Sequence, residues 1–233
     1  MAQNLIDVGT VDFEGSTWAS TYFNSEMPAQ WRFLYYSNQF RSVLLPLDKT
    51  DFLLSPQGRE ITDDSDTGFH FILTISWQAA NSDQTLLQRL ESLDIHIAAL
   101  VIEISTCCEP TQDANLEQLA IRWPVCLDVI NGSVDEPASI EVLKLAEKFD
   151  ATLLWRPDIS STIRLEPLQQ PYEGGRYLIT RISAPTLPQL RSIIESLALW
   201  KDGYRSAGIF FDDNAKAPQN ASDCRILVEL MNK

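Results

Sequence analysis

The apolar residues of this chain fall into short runs that alternate with helical spacings. His70–Ser76 (HFILTIS) is a β-rich run, and Asp83–Leu93 follows it with leucines at 86, 87, 90 and 93, a spacing that predicts a helix. Ala99–Ile104 is the next apolar run, and Leu116, Leu119 and Ala120 mark a short helix. Pro124–Val129 reads as a strand, then Ser139–Phe149 as a helix with Ile140, Leu143, Ala146 and Phe149 on one side. Ala151–Trp155 and Tyr177–Ile182 are strands, Leu187–Trp200 is a long amphipathic helix, Ala207–Phe211 is a strand and Ser222–Met231 a closing helix. Ahead of these, strands over Leu5–Val8 and Ser42–Leu45 flank a helix over Ala29–Phe40. Two stretches read as loops: Leu47–Gly68, with Pro56, Gly58 and the acidic Asp63, Asp64 and Asp66, and Ser160–Gly175, with Pro167, Pro171 and a Gly pair.

Strand–helix alternation with short apolar strands describes a parallel sheet buried on both faces by helices. Eight such units predict a single-domain (β/α)8 TIM barrel over residues 1–233. The length is close to the roughly 250 residues usual for that fold.

Composition adds little to the fold but narrows the partners. Hydrophobic residues at 45% and charged residues at 21% are ordinary globular values, so burial supplies stability without a metal or disulfide staple. A net charge of −14 repels phosphate backbones and anionic membrane surfaces. Nucleic acid and membrane partners are therefore not expected. None of the four cysteines forms a CxxC pair, and Cys107 and Cys108 are adjacent, a poor geometry for a disulfide. Cys126 lies in an apolar run and reads as a buried small hydrophobe. The N-terminus lacks a basic segment followed by an apolar one. Together these features predict a cytoplasmic protein.

In a barrel, functional groups gather at the C-terminal ends of the strands. That rule selects Asp12, Glu14, Asp48, Lys49, Ser76, Trp77, Glu103, Ser105, Cys107, Cys108, Asp128, Asn131, Arg156, Asp158, Arg181, Ser183, Asp212, Asp213 and Asn214. Both histidines, His70 and His96, precede the middle of their strands and belong to the opposite end. A zinc site and a histidine general base are thus not expected. Glu103, Asp128 and Asp212 are the candidate catalytic carboxylates. Carboxylates in unlike environments divide acid and base roles, and an oxygen-rich set also suits Mg²⁺ or Mn²⁺. Arg156 and Arg181 are candidate anion anchors, and Trp18 or Trp77 a candidate apolar wall. Gly174-Gly175 lacks the spacing of a phosphate-cradling loop, so no nucleotide cofactor is expected.

The order of motifs resembles the YecE-like family, the domain of unknown function 72. Gly9-Thr10, then Phe13 and Trp18, is similar to that family's opening "GTSGWSY…W". Trp31–Val43 resembles its "LRYYASRFNTVE", Leu100–Ser105 its "LVQLP", and Gly208–Asn214 with Asn220-Ala221 its "VYVYFNN…NA". The resemblance covers nearly the whole chain and implies a TIM-barrel fold. It implies no established activity. Departures mark a divergent member: Leu44-Leu45-Pro46 replaces a Glu and an Asn, Asp128 stands for the Glu of "AVEFR" without its Arg, and Asp212-Asp213 replaces the last two residues of "FNN". Arg181 fits the arginine of "VRLHG", while Ser183-Ala184 replaces the His-Gly.

Two functional readings follow. One is a site for a small polar or anionic molecule at the barrel's C-terminal mouth, with carboxylate-based hydrolysis or isomerisation as the chemistry. The other is a catalytically degenerate barrel that acts as a binding or scaffold protein.

Overall fold

Residues 6–54, 68–93, 95–105, 114–130, 140–157, 174–201 and 205–231 are described by a computed structural model. The apolar runs become strands: β1 (Asp7–Thr10), β2 (Ser42–Pro46), β3 (His70–Ser76), β4 (Ile97–Ser105), β5 (Val125–Ile130), β6 (Thr152–Leu153), β7 (Tyr177–Ile182) and β8 (Ser206–Phe211). Helices α1 (Ala19–Tyr22) and α2 (Ala29–Gln39) follow β1, and α3 (Trp77–Ser82) and α4 (Leu86–Ser92) follow β3. Later come α5 (Ala114–Arg122), α6 (Ile140–Lys148), α7 (Leu187–Trp200) and α8 (Ala217–Met231). None of the described helices is long and apolar enough to cross a membrane.

The result is a mixed α/β fold with parallel sheets. One sheet has the order β2-β3-β4-β5-β6 and the other β1-β8-β7. Single parallel bridges link the two: Val11 with Leu44, and Trp155 with Thr180. Around the first, the Asp12 N–H donates to the Leu44 carbonyl at 2.8 Å. Around the second, the Trp155 N–H donates to the Ile179 carbonyl at 2.8 Å and the Arg181 N–H to the Trp155 carbonyl at 2.9 Å.

Alternation along the strands divides their side chains between two cores. Val43, Leu45, Phe71, Leu73, Leu100 and Ile102 pack with residues of the helices. Leu44, Ile72, Val101, Cys126, Ile179 and Phe210 pack on one another in a second cluster drawn from β2, β3, β4, β5, β7 and β8. Each such buried aliphatic side chain contributes about 1.5–3 kcal/mol.

Several boundaries differ from the sequence reading. The first strand is Asp7–Thr10, because its ladder with β8 starts at Asp7 opposite Gly208. A strand can begin on that aspartate because Tyr177 donates a hydrogen bond to its carboxylate at 2.5 Å. The helix α3 is not predicted by periodicity; Ser76 caps it by accepting from the Ala79 N–H at 3.2 Å. Trp77 accordingly opens a helix. Strand β6 has only two residues, and α8 begins at Ala217, five residues ahead of its expected start. Of the two expected loops, Leu47–Leu54 is a 3-10 helix. Residues 55–67 and 158–173 lie outside the described residues.

Candidate functional site

Strand register assembles the site. β4 and β5 pair with Glu103 opposite Asp128, both near their strands' C-terminal ends. Arg156 follows the Trp155 bridge, Arg181 is the fifth residue of β7, and Asp212 follows β8 directly. Asp128 is 1% exposed. Arg156 grips it with a fork, Nη1 to Oδ1 at 2.6 Å and Nη2 to Oδ2 at 2.7 Å. Arg181 Nη1 approaches Asp128 Oδ2 at 3.6 Å. The same arginine donates to Asp212 Oδ1 from Nε at 2.9 Å and from Nη2 at 2.7 Å. Two guanidiniums thus bind two carboxylates in a chain that spans β5, β6, β7 and β8.

Glu103 stands beside this chain and is treated differently. Among the described residues it has no hydrogen bond or ion pair of its own. Burial first, and the Asp128 charge second, push its carboxyl above the usual range, and Arg181 and Arg156 only partly oppose this. Full ionisation would set three carboxylates against two guanidiniums. Protonating Glu103 removes that excess negative charge, which is the electrostatic reason it holds its proton more tightly.

Both tryptophans pack against the main core. Trp18 is fully buried, with its ring edge-on to Tyr22 at 5.4 Å and tilted against Phe23 at 6.0 Å. Trp77 is partly buried against the main core. Ser76 pairs with Glu103, so Trp77 begins one residue beyond that register. Asp213 is a local organiser: its carboxylate accepts from the N–H and hydroxyl of both Ser16 and Thr17 at 2.5–3.1 Å. Burial acts to raise its pKa, but those hydrogen bonds outweigh it and hold the carboxyl below the usual range. Asp158, Cys107, Cys108 and Asn131 lie outside the described residues.

A second polar group stands at the strand ends, built on Asp12, Lys49 and Glu14. Asp12, just past β1, is buried and has a left-handed backbone with φ of 65°. Its Oδ1 accepts from the Phe13 N–H at 2.7 Å and the Glu14 N–H at 3.2 Å, and its Oδ2 pairs with Lys49. That hydrogen bond to Asp12 raises the Lys49 ammonium above its ordinary value, so it stays a fixed cation. Glu14 pairs with Arg32 at 2.9 Å. The strand-end rule names Asp12 and Lys49, and only the backbone geometry distinguishes them from solvated charges.

The opposite end of the strands carries the histidines. His70 opens β3, with Nδ1 at 3.1 Å from both carboxylate oxygens of Asp7, and its ring lies edge-on to His96 at 4.6 Å. Cys126 is fully buried, which pushes its thiol up to about 12. Among the described residues, no three His, Cys, Asp or Glu side chains are grouped to hold a metal ion. The Mg²⁺ or Mn²⁺ expectation therefore gains no ligand set from them.

No protein-family profile and no curated protein matches this sequence. Solved structures do. Two crystal structures of a DUF72 family protein from Enterococcus faecalis V583 share 12% and 15% identity with it, at TM-scores of 0.63 and 0.61. They cover 97% and 98% of this chain and 96% and 99% of their own. A DUF72 family protein from Thermotoga maritima shares 13% identity at a TM-score of 0.63, covering 97% of this chain and 99% of its own. Over nearly its whole length, the chain has the fold of these DUF72 family proteins.

Proposed function

We propose that this chain is a divergent DUF72 (YecE-like) protein, a single closed (β/α)8 barrel that binds a small polar or anionic molecule at the C-terminal ends of its strands. Closure is supported by the two inter-sheet bridges and by the second core, to which six strands contribute. The observation that carries the ligand site is Glu103. It is a partly buried carboxyl with a raised pKa and no partner of its own among the described residues, set beside two guanidiniums. In this reading Arg181 and Arg156 anchor the anionic group. Asp128 and Asp212 orient the arginines. Glu103 delivers or removes a proton, which suits hydrolysis or isomerisation. The acidity of the chain favours a small molecule over nucleic acid or a membrane surface, and the free Cys126 and Cys224 favour the cytoplasm.

The test is a thermal-shift panel of sugar phosphates, nucleotides and carboxylates, with and without Mg²⁺ and Mn²⁺. A ligand at ~100 times its Kd adds about 2.7 kcal/mol of stability. Arg181→Ala is expected to abolish the shift while leaving a cooperative melt, and unchanged affinity would remove Arg181 from the site. Glu103→Gln is expected to keep binding and to lower turnover of a hit by about 100-fold or more.

A second reading has its own support. Asp128, Arg156, Arg181 and Asp212 satisfy one another, and Leu44 and Leu45, which replace polar family residues, are fully buried. A mouth of that kind fits a barrel whose chemistry is lost and whose role is binding or scaffolding. Flat melts across the whole panel favour it.

A further inference from the structure

The strand-end cluster contains two groups whose hydrogen-bonding capacity is not taken up within it. Arg181 directs both Nε and Nη2 to a single oxygen of Asp212, Oδ1. Its Nη1 lies 3.6 Å from Asp128 Oδ2, beyond hydrogen-bond reach, and donates to no other atom among the described residues. Glu103 stands across the β4–β5 ladder from Asp128 and has no partner of its own among the described residues. Glu103 and Arg181 Nη1 are thus neighbours of the same buried carboxylate. Both are open to water: the Arg181 side chain is 23% exposed and Glu103 is partly exposed. The fixed charges around them already balance, with Arg156 and Arg181 set against Asp128 and Asp212. Burial and the Asp128 charge hold the proton on Glu103 more firmly than usual, against Arg181 and Arg156. β3 and α3 also pack on β4, and neither brings a charged side chain to this end. Past β1, Asp12 and Lys49 neutralise each other. Val11 and Pro46, beside them at the ends of β1 and β2, are apolar and partly exposed.

Resting on the strand-end site proposed above, we infer that its ligand is a small monocarboxylate, with one oxygen accepting from Arg181 Nη1 and the other from the Glu103 carboxyl. Both available groups donate, so the end of the ligand that meets them is built of acceptors. A carboxylate offers two acceptor oxygens in one plane with a single charge, and its hydrogen bond from a guanidinium is of the strong, charge-assisted kind. A phosphate dianion would bring two negative charges to a cluster that has two carboxylates and no surplus cation. The ligand and Glu103 carboxyls share one proton, since two carboxyls at close range do not both ionise. The complex therefore needs the Glu103 proton, and affinity declines as pH rises through the range in which the pair loses it.

The experiment titrates acetate, propionate and lactate, their amides and inorganic phosphate into the full chain by calorimetry. The range runs from about pH 6 to about pH 8, above that in which simple carboxylic acids ionise. At least one carboxylate is expected to saturate with a Kd of about 1 mM or tighter, with its amide at least tenfold weaker and no displacement by phosphate. Its affinity is expected to fall with rising pH, by up to about tenfold per pH unit for one linked proton. Glu103→Gln, whose amide still donates, is expected to keep binding and lose that slope, and Arg181→Ala to lose binding. Phosphate binding that depends on Arg181, without carboxylate binding, would overturn the carboxylate assignment and leave the anion site standing. Equal binding of acid and amide would overturn it, as would a flat pH profile in the parent or the same slope in Glu103→Gln. Binding of none of these probes would overturn it as well, and the sugar phosphates and nucleotides of the wider panel then decide separately whether the site takes anions.

Discussion

Removing Arg156 and removing Asp128 are unlike changes, although the two side chains form one pair. Asp128 is 1% exposed and Arg156 is 37% exposed. Arg156→Ala leaves a buried carboxylate with only the 3.6 Å approach of Arg181. Breaking a wholly buried pair costs about 3–5 kcal/mol, and solvent access to the arginine lowers this to about 2–3. Urea denaturation of the variant checks it, and a loss under about 0.5 kcal/mol would mean that water already screens the pair. Asp128→Asn does the opposite. It releases the Arg156 fork to solvent while Arg181 keeps its bonds to Asp212, removes the like charge that helps hold the Glu103 carboxyl up, and leaves the arginines acting on Glu103. The Glu103 pKa is expected to fall in that variant, read by carboxyl-carbon NMR titration. An unchanged value would mean that burial alone sets it. Asp12 makes a related point about legibility. Aligned on Gly9-Thr10, the quoted "GTSGW" motif places a glycine at position 12, and the φ of 65° here explains why. Aspartate adopts this region because its own carboxylate accepts two backbone N–H groups.

At the scale of elements, the approach of β1 to β2 rests on a residue without a side chain. A Cβ on Gly9 would collide with the Ser42 carbonyl oxygen. The same junction is tied by Tyr36, whose hydroxyl donates to that carbonyl at 3.1 Å and accepts from the Thr10 N–H at 2.9 Å. Gly9→Ala is expected to cost about 2 kcal/mol or more by forcing the strands apart. A thermal melt within error of the parent would show that the junction can relax. Elements with strong patterns were legible: His70–Ser76, Tyr177–Ile182 and Leu187–Trp200 have the same bounds in pattern and structure. In the last, Leu190, Ile193, Ile194 and Leu197 form one buried stripe, and Thr186 with Gln189 closes the helix start. Helix α3 was not legible because only Ala80 of its six residues is buried, too little to make a stripe. Ser76 as an N-cap was the available signal. The run Ala151–Trp155 reads as a full strand, yet it leaves β5 after Leu153 and reaches β7 through Trp155, so its ladder is short. The strand-end rule gathered Glu103, Asp128, Arg156, Arg181 and Asp212 because register alone sets their height in the sheet. It also names Trp77, which stands directly beyond Ser76, but neither for Trp77 nor for Trp18 does residue type distinguish a core ring from a pocket wall.

For the molecule as a whole, the two ends of the sheet have separate electrostatics, and the histidine end makes its own prediction about pH. His70 is drawn upward from 6.5 mainly by its hydrogen bond to Asp7, against burial and the nearby Arg41. Its contribution to stability is complete below 6.5 and disappears as pH rises through its higher folded value. His96 is drawn downward from 6.5 by burial and then by His70, against Asp7. The unfolded chain therefore takes up that proton first, and His96 costs stability as pH falls from 6.5 through its lower folded value. Tyr177, bonded to Asp7, stays protonated throughout, because burial raises it well above 10.0. Lys201, lowered by burial and raised only in part by Asp7, remains a cation across the range in which histidines titrate. Between about pH 8 and pH 5 the two histidines thus pull in opposite directions. His70→Gln is expected to lose progressively more stability relative to the parent as pH falls. His96→Gln is expected to gain relative to the parent over the same range. The −14 background is common to all three proteins, so differences in denaturation midpoint at matched pH isolate the two side chains. Parallel curves for parent and His70→Gln would mean that Asp7 holds the ring equally well in both charge states. The hydrogen bond would then serve to position β3 against β1 and β7, without any pH dependence of its own.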